Sequence, residues 1–107
     1  MKSHEEIDQR SLALSRAIVQ LIDADPHRGG LQKARENCDR WLKEYSFPAL
    51  LEWQMLLKRD WPAVRAILMD EGPEGRRLRQ SSPFCGILSA KERWSIYRRF
   101  HHEPQAA

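Results

Sequence analysis

The chain has 107 residues, enough for one domain, and a folded chain of this size buries roughly 65% of the surface it exposes when unfolded. Apolar residues make up 41% and charged residues 31%, with a mean hydropathy of −0.69, which argues against disorder and against a membrane protein alike. The net charge of +3 is unevenly placed: residues 1–71 hold 11 Lys/Arg and 12 Asp/Glu, whereas residues 72–107 hold 7 and 3.

No apolar run approaches the roughly 20 residues that span a bilayer. The opening Met1 to Glu6 is acidic where a secretory leader is basic and then apolar, so a cytoplasmic protein without a membrane partner is expected. Two cysteines, Cys38 and Cys85, make no disulfide framework, and both are expected to be reduced.

Ser3 and Glu6 have the spacing of a capping box and predict a helix that runs until Asp25 and Pro26. Ile7, Leu14, Ile18, Leu21 and Ile22 recur at helical spacing as its apolar stripe, with Leu12 and Val19 lying off it. His27, Arg28, Gly29 and Gly30 read as a turn. The second helix carries Leu31, Ala34, Cys38, Trp41, Leu42 and Tyr45 on one face and charged residues on the other.

Ser46, Phe47 and Pro48 turn the chain into a third helix, Pro48 to about Arg59, apolar on more than one side and so expected at the centre of the fold. Asp60 is positioned to cap a fourth helix whose inward face is Val64, Ile67 and Leu68, closed by Gly72 and Pro73. A short helical turn is expected around Arg76 to Gln80, then an irregular stretch holding Phe84, Ile87 and Leu88. Ser89 and Glu92 repeat the capping-box spacing and predict a last helix from Ala90 to about His101, with Trp94, Ile96, Tyr97 and Phe100 as its apolar positions. Residues Glu103 to Ala107 carry no anchoring pattern and are expected to fray. Strand signals are absent, so the expected fold is a single all-α domain, a compact bundle of five or six short helices.

Catalytic and metal-binding constellations are few. His101 and His102 are adjacent, about 100° apart on a helix, and do not chelate one ion as an i, i+4 pair does. Arg98, Arg99, Phe100, His101 and His102 are similar to the arginine and histidine pair of HEPN-type ribonucleases. The separations differ from that motif: three residues lie between Arg98 and His102, and seven between Arg93 and His101. Gly72, Gly75 and Gly86 fit neither a P-loop nor a dinucleotide fingerprint. No catalytic residue, metal or cofactor is assigned, and a non-enzymatic role is expected.

The basic residues Arg76, Arg77, Arg79, Lys91, Arg93, Arg98 and Arg99 remain to be explained, since arginine forks suit carboxylate and phosphate alike. A protein partner would meet these arginines with Trp94 and Tyr97 as aromatic anchors. Operator DNA would take them by its phosphates, with steep salt dependence. Of the four tryptophans, Trp41, Trp53 and Trp61 are expected mainly in the core, and Trp94, flanked by arginines, is assigned to the surface.

The stretch RLRQSSPFCGILSAKERWSIYRRF, Arg77 to Phe100, resembles a segment of small bacterial proteins associated with toxin–antitoxin operons, and HEEIDQRSLAL, His4 to Leu14, is similar to their opening. Together they cover about a third of the chain. The resemblance implies an antitoxin-like role: binding a co-encoded toxin and repressing the operon. It carries over no catalytic residue.

Overall fold

The computed structural model describes residues 4–100, and those residues form six helices and no strand. They are α1 (His4–Ala24), α2 (Gly29–Leu42), α3 (Pro48–Leu56), α4 (Trp61–Leu68), α5 (Pro73–Arg79) and α6 (Ala90–Arg99). Ser3, His101 and His102 lie outside the described residues, as does the stretch from Glu103 onward. No helix among the described residues is long and apolar enough to cross a membrane.

The chain closes around α1, which packs against α2, α4, α5 and α6, while α3 packs on α2 and α4 on α5. The expected central role of the third helix therefore belongs to the first. At 21 residues α1 is the longest element, and it alone is long enough to reach four neighbours. Its inward face is also rotated from the expected stripe. Ile18 and Ile22 of that stripe are buried, but so are Leu12, Ser15 and Val19, which lie off it, whereas Ile7 is 43% exposed and Leu21 lies at the surface. A helix with neighbours on several sides buries whichever residues face them, and apolar periodicity alone does not set that rotation.

Trp53 of α3 is the largest side chain buried to 0% exposure. Its indole N–H donates to the Leu78 carbonyl at 2.9 Å, and its ring meets Phe84 edge-on at 5.9 Å. Leu51 and Met55, on the other side of α3, are exposed. One element thus ties α5 and the 80–88 connector to the core formed by Val19, Ala34, Cys38, Val64 and Leu68.

The turn into α2 is tighter than the sequence suggested, because Gly29 and Gly30 already lie in its first turn. Arg28, not a glycine, takes the left-handed conformation, with φ 52°. A non-glycine residue there needs compensation. The Arg28 guanidinium supplies it by donating to the carbonyls of Ile22, Asp23 and Asp25 at 2.8, 3.0 and 3.1 Å, closing the C-terminus of α1. The Asp25 carboxylate accepts from the backbone of His27 and Gly29 across the same turn.

The expected caps of the later helices are present. Asp60 accepts from Ala63 at the start of α4, and Ser89 and Glu92 form a complete capping box at the start of α6. The α5 helix begins at Pro73, earlier than expected, because Asp70 serves as its cap from outside: its two carboxylate oxygens accept from the backbone of Gly72 and Gly75 at 2.8 and 3.0 Å.

These bonds make stability sensitive to acid. The Trp61 indole and then Arg65 hold the Asp23 carboxyl below its ordinary range; the amides of Gly29 and His27 do the same for Asp25, Arg77 for Glu52, and Ser89 for Glu92. With folded pKa values depressed, the stabilisation is present above the ordinary carboxylate value of about 4 and is lost as pH falls through the folded values. The urea midpoint is expected to hold steady from about pH 7 to pH 5 and to drop below about pH 4. Asp23→Asn, measured across the same range, should make that drop shallower.

Candidate functional site

Burial of Ile96 fixes the rotation of α6, with Phe100 half-buried on the same side. Helical spacing then turns Lys91, Trp94 and Arg98 away from the core. Trp94 is 63% exposed and meets Tyr97 ring edge to ring face, with centroids 6.3 Å apart. On the other side of Tyr97 the Arg10 guanidinium of α1 lies 5.2 Å from the ring centroid, a cation–π contact that seats α6 against α1.

The arginines and aromatic anchors singled out from the sequence divide into two groups. Arg93, Trp94, Tyr97, Arg98 and Arg99 share α6, and Arg93, Arg98 and Arg99 are exposed and form no ion pair among the described residues. Arg76, Arg77 and Arg79 lie on α5 and are engaged within the fold. Arg76 pairs with Asp8 at 3.3 Å, and Arg77 makes two parallel 2.7 Å bonds to Glu52 and two more to Glu74 at 2.6 and 3.4 Å. Such exposed, solvent-screened pairs contribute little to stability. They nonetheless offset the charges of Arg76 and Arg77 locally, whereas Lys91, Arg93, Arg98 and Arg99 of α6 form no ion pair among the described residues.

Arg79 is a different case, being only 8% exposed. One of its terminal nitrogens donates to the Asp70 carbonyl, and its Nε is buried with no hydrogen-bond partner. Leaving a buried N–H unpaired costs roughly 1–3 kcal/mol. Burial pushes the guanidinium pKa down, opposed by nearby Asp8 and Asp70. No regularity in the sequence distinguishes Arg79 from Arg76 and Arg77; the single-turn offset along α5 decides it.

Arg79 lines a cleft of about 580 Å³ bounded by α1, the end of α2, the 80–88 connector and α6. Ser11 and Ser15 stand on its α1 wall, Arg93 and Tyr97 on its α6 wall, and Trp41 and Phe84 contribute aromatic surface. At the rim Tyr45 and Phe47 stack on each other at 5.8 Å, both exposed. The periodicity of the second helix places Tyr45 on its inward face, but α2 ends at Leu42 and Tyr45 is exposed beyond it.

The connector that forms one side of this cleft is irregular yet firmly held. Asn37, buried on α2, donates to the Pro83 and Cys85 carbonyls at 2.9 and 3.1 Å, supplying partners that a loop cannot give itself. A lone buried asparagine within an apolar stripe was the available signal for it. Both cysteines are free, Cys38 in the core and Cys85 exposed at the cleft. Among the described residues no group of His, Cys, Asp and Glu is arranged to hold a metal ion.

No family model, curated protein or solved structure matches the chain. The site is therefore read from its own chemistry.

Proposed function

We propose that the chain is a non-enzymatic binding protein that engages an acidic surface of a protein partner through the outward face of α6, in the manner of an antitoxin covering a co-encoded toxin. The observation that carries this reading is Trp94, a 63% exposed indole set among cations that form no ion pair among the described residues. Tryptophan and arginine are the residues in which interface energy concentrates, and truncating such an anchor costs about 2 kcal/mol or more. The flanking charges of Lys91, Arg98 and Arg99 steer an acidic partner and hasten its approach.

Co-expression with the product of the neighbouring gene tests it. A stable complex is expected, with rescue of any growth defect that product causes. Trp94→Ala should weaken the complex at least tenfold while leaving the helical circular dichroism unchanged. Failure of the two proteins to associate, together with no rescue, would end the reading.

The same unpaired cations favour a second reading, in which α6 lies against operator DNA. A mobility-shift assay at low and high salt separates the two. Phosphate-driven binding falls steeply with salt, and each arginine removed lowers the salt slope by about one unit.

A further inference from the structure

The geometry points to the cleft between α1 and α6 as a binding site for a small aromatic carboxylic acid, its carboxylate held by Arg79 and Arg93 and its ring seated among Trp41, Phe84 and Tyr97. The cleft volume of about 580 Å³ lies inside the roughly 300–1,000 Å³ typical of small-ligand sites. Its walls are mainly apolar and aromatic with a few convergent polar groups, which is the composition such sites share.

The charge of the ligand follows from the arginines. A guanidinium carries five N–H donors in a planar fork; in Arg79 the Nε is enclosed by protein and one terminal nitrogen bonds the Asp70 carbonyl, so the terminal end of the fork is what Arg79 offers the cleft. A carboxylate accepts two parallel bonds from such a fork, which a neutral group of the same size does not reproduce. Arg93, exposed and without an ion pair among the described residues, stands on the α6 wall of the same cleft. The hydroxyls of Ser11 and Ser15 on the α1 wall are further donors.

The aromatic body follows from the lining. Offset and edge-on ring contacts favour a planar ligand over an aliphatic one of equal area. Lys91, Trp94 and Arg98 do not line the cleft, whereas Arg93 and Tyr97 do, so the site shares two residues with the α6 surface and differs from it in the rest.

Isothermal titration calorimetry of the full chain with naphthoate, its neutral amide and inorganic phosphate tests the assignment. Naphthoate is expected to bind saturably, the amide at least tenfold more weakly, and phosphate, which lacks a ring, not measurably. Arg79→Met should bring naphthoate down to the level of the amide. Because Arg79 also anchors Asp70, circular dichroism checks its fold, and the exposed Arg93→Ala serves as the second variant. It should weaken naphthoate at least threefold and leave the amide unchanged. Ser11→Phe, which fills the cleft, should abolish binding of both ring compounds. Equal affinity for naphthoate and amide, naphthoate binding indifferent to both arginine variants, binding that survives Ser11→Phe, or no binding of naphthoate at all would each overturn the assignment.

Discussion

Trp53→Ala is expected to lower the stability of the fold by about 3–5 kcal/mol, read as a fall in the urea midpoint with little change in slope. Trp53 is completely buried and lies where α3, α5 and the 80–88 connector meet. Truncation removes the transfer energy of an indole and leaves a cavity lined by Phe84 and neighbouring core residues, which helices pinned elsewhere cannot collapse to fill. Against a total of about 5–15 kcal/mol for a domain of this size, that is a large fraction. Trp53→Phe separates packing from hydrogen bonding. It keeps an aromatic ring beside Phe84 and gives up the bond to the Leu78 carbonyl. That carbonyl still accepts from the Ser81 amide at 3.2 Å, so the cost should be only about 1–2 kcal/mol. Equal losses for the two variants would show that the hydrogen bond, not the volume, dominates.

Gly75→Ala should destabilise the protein by about 2–4 kcal/mol, although replacing a helical glycine by alanine ordinarily stabilises by up to about 1 kcal/mol. The reversal of sign comes from one contact. A β-carbon at position 75 would stand 2.1 Å from the Asp70 carbonyl oxygen and 2.8 Å from its carbonyl carbon, which is backbone and cannot swing aside. Relief requires α5 to move away from the 70–72 turn. That movement breaks the bond from Gly75 to the Asp70 carboxylate and the bond from Arg79 to the Asp70 carbonyl. Gly72→Ala is the control. Its β-carbon would meet nothing closer than an Asp70 carboxylate oxygen at 3.1 Å, so it should cost far less in the same denaturation experiment. If both substitutions were neutral, α5 would not be held against the turn as described.

The two expectations also bear on the cleft, since both perturb elements that carry its lining. Asp70, Gly75 and Arg79 form one unit, so Gly75→Ala should disturb the placement of the buried guanidinium without touching it. A naphthoate titration on Gly75→Ala protein that remains folded reports this directly.

Helix identity, capping and charge distribution follow from local chemistry, and the sequence alone determined them. The Ser89–Glu92 box, the Asp60 cap and the single inward face of α2 depend on residues within a turn or two of each other, so they are readable without knowledge of the neighbours. The sequence offered Trp94 and Ile96 alike as apolar positions of α6, and only the burial of Ile96 turned Trp94 outward. The choice of α1 as the central element, the rotation of its inward face and the separation of Arg79 from Arg76 and Arg77 rest on contacts between residues far apart in the chain. The tertiary structure decided those. Three arginines alike in composition came to differ in environment: Asp8 and Glu52 arrive from other helices to pair with two of them, and the third is drawn under α1 beside a cleft whose walls no single segment of sequence contains.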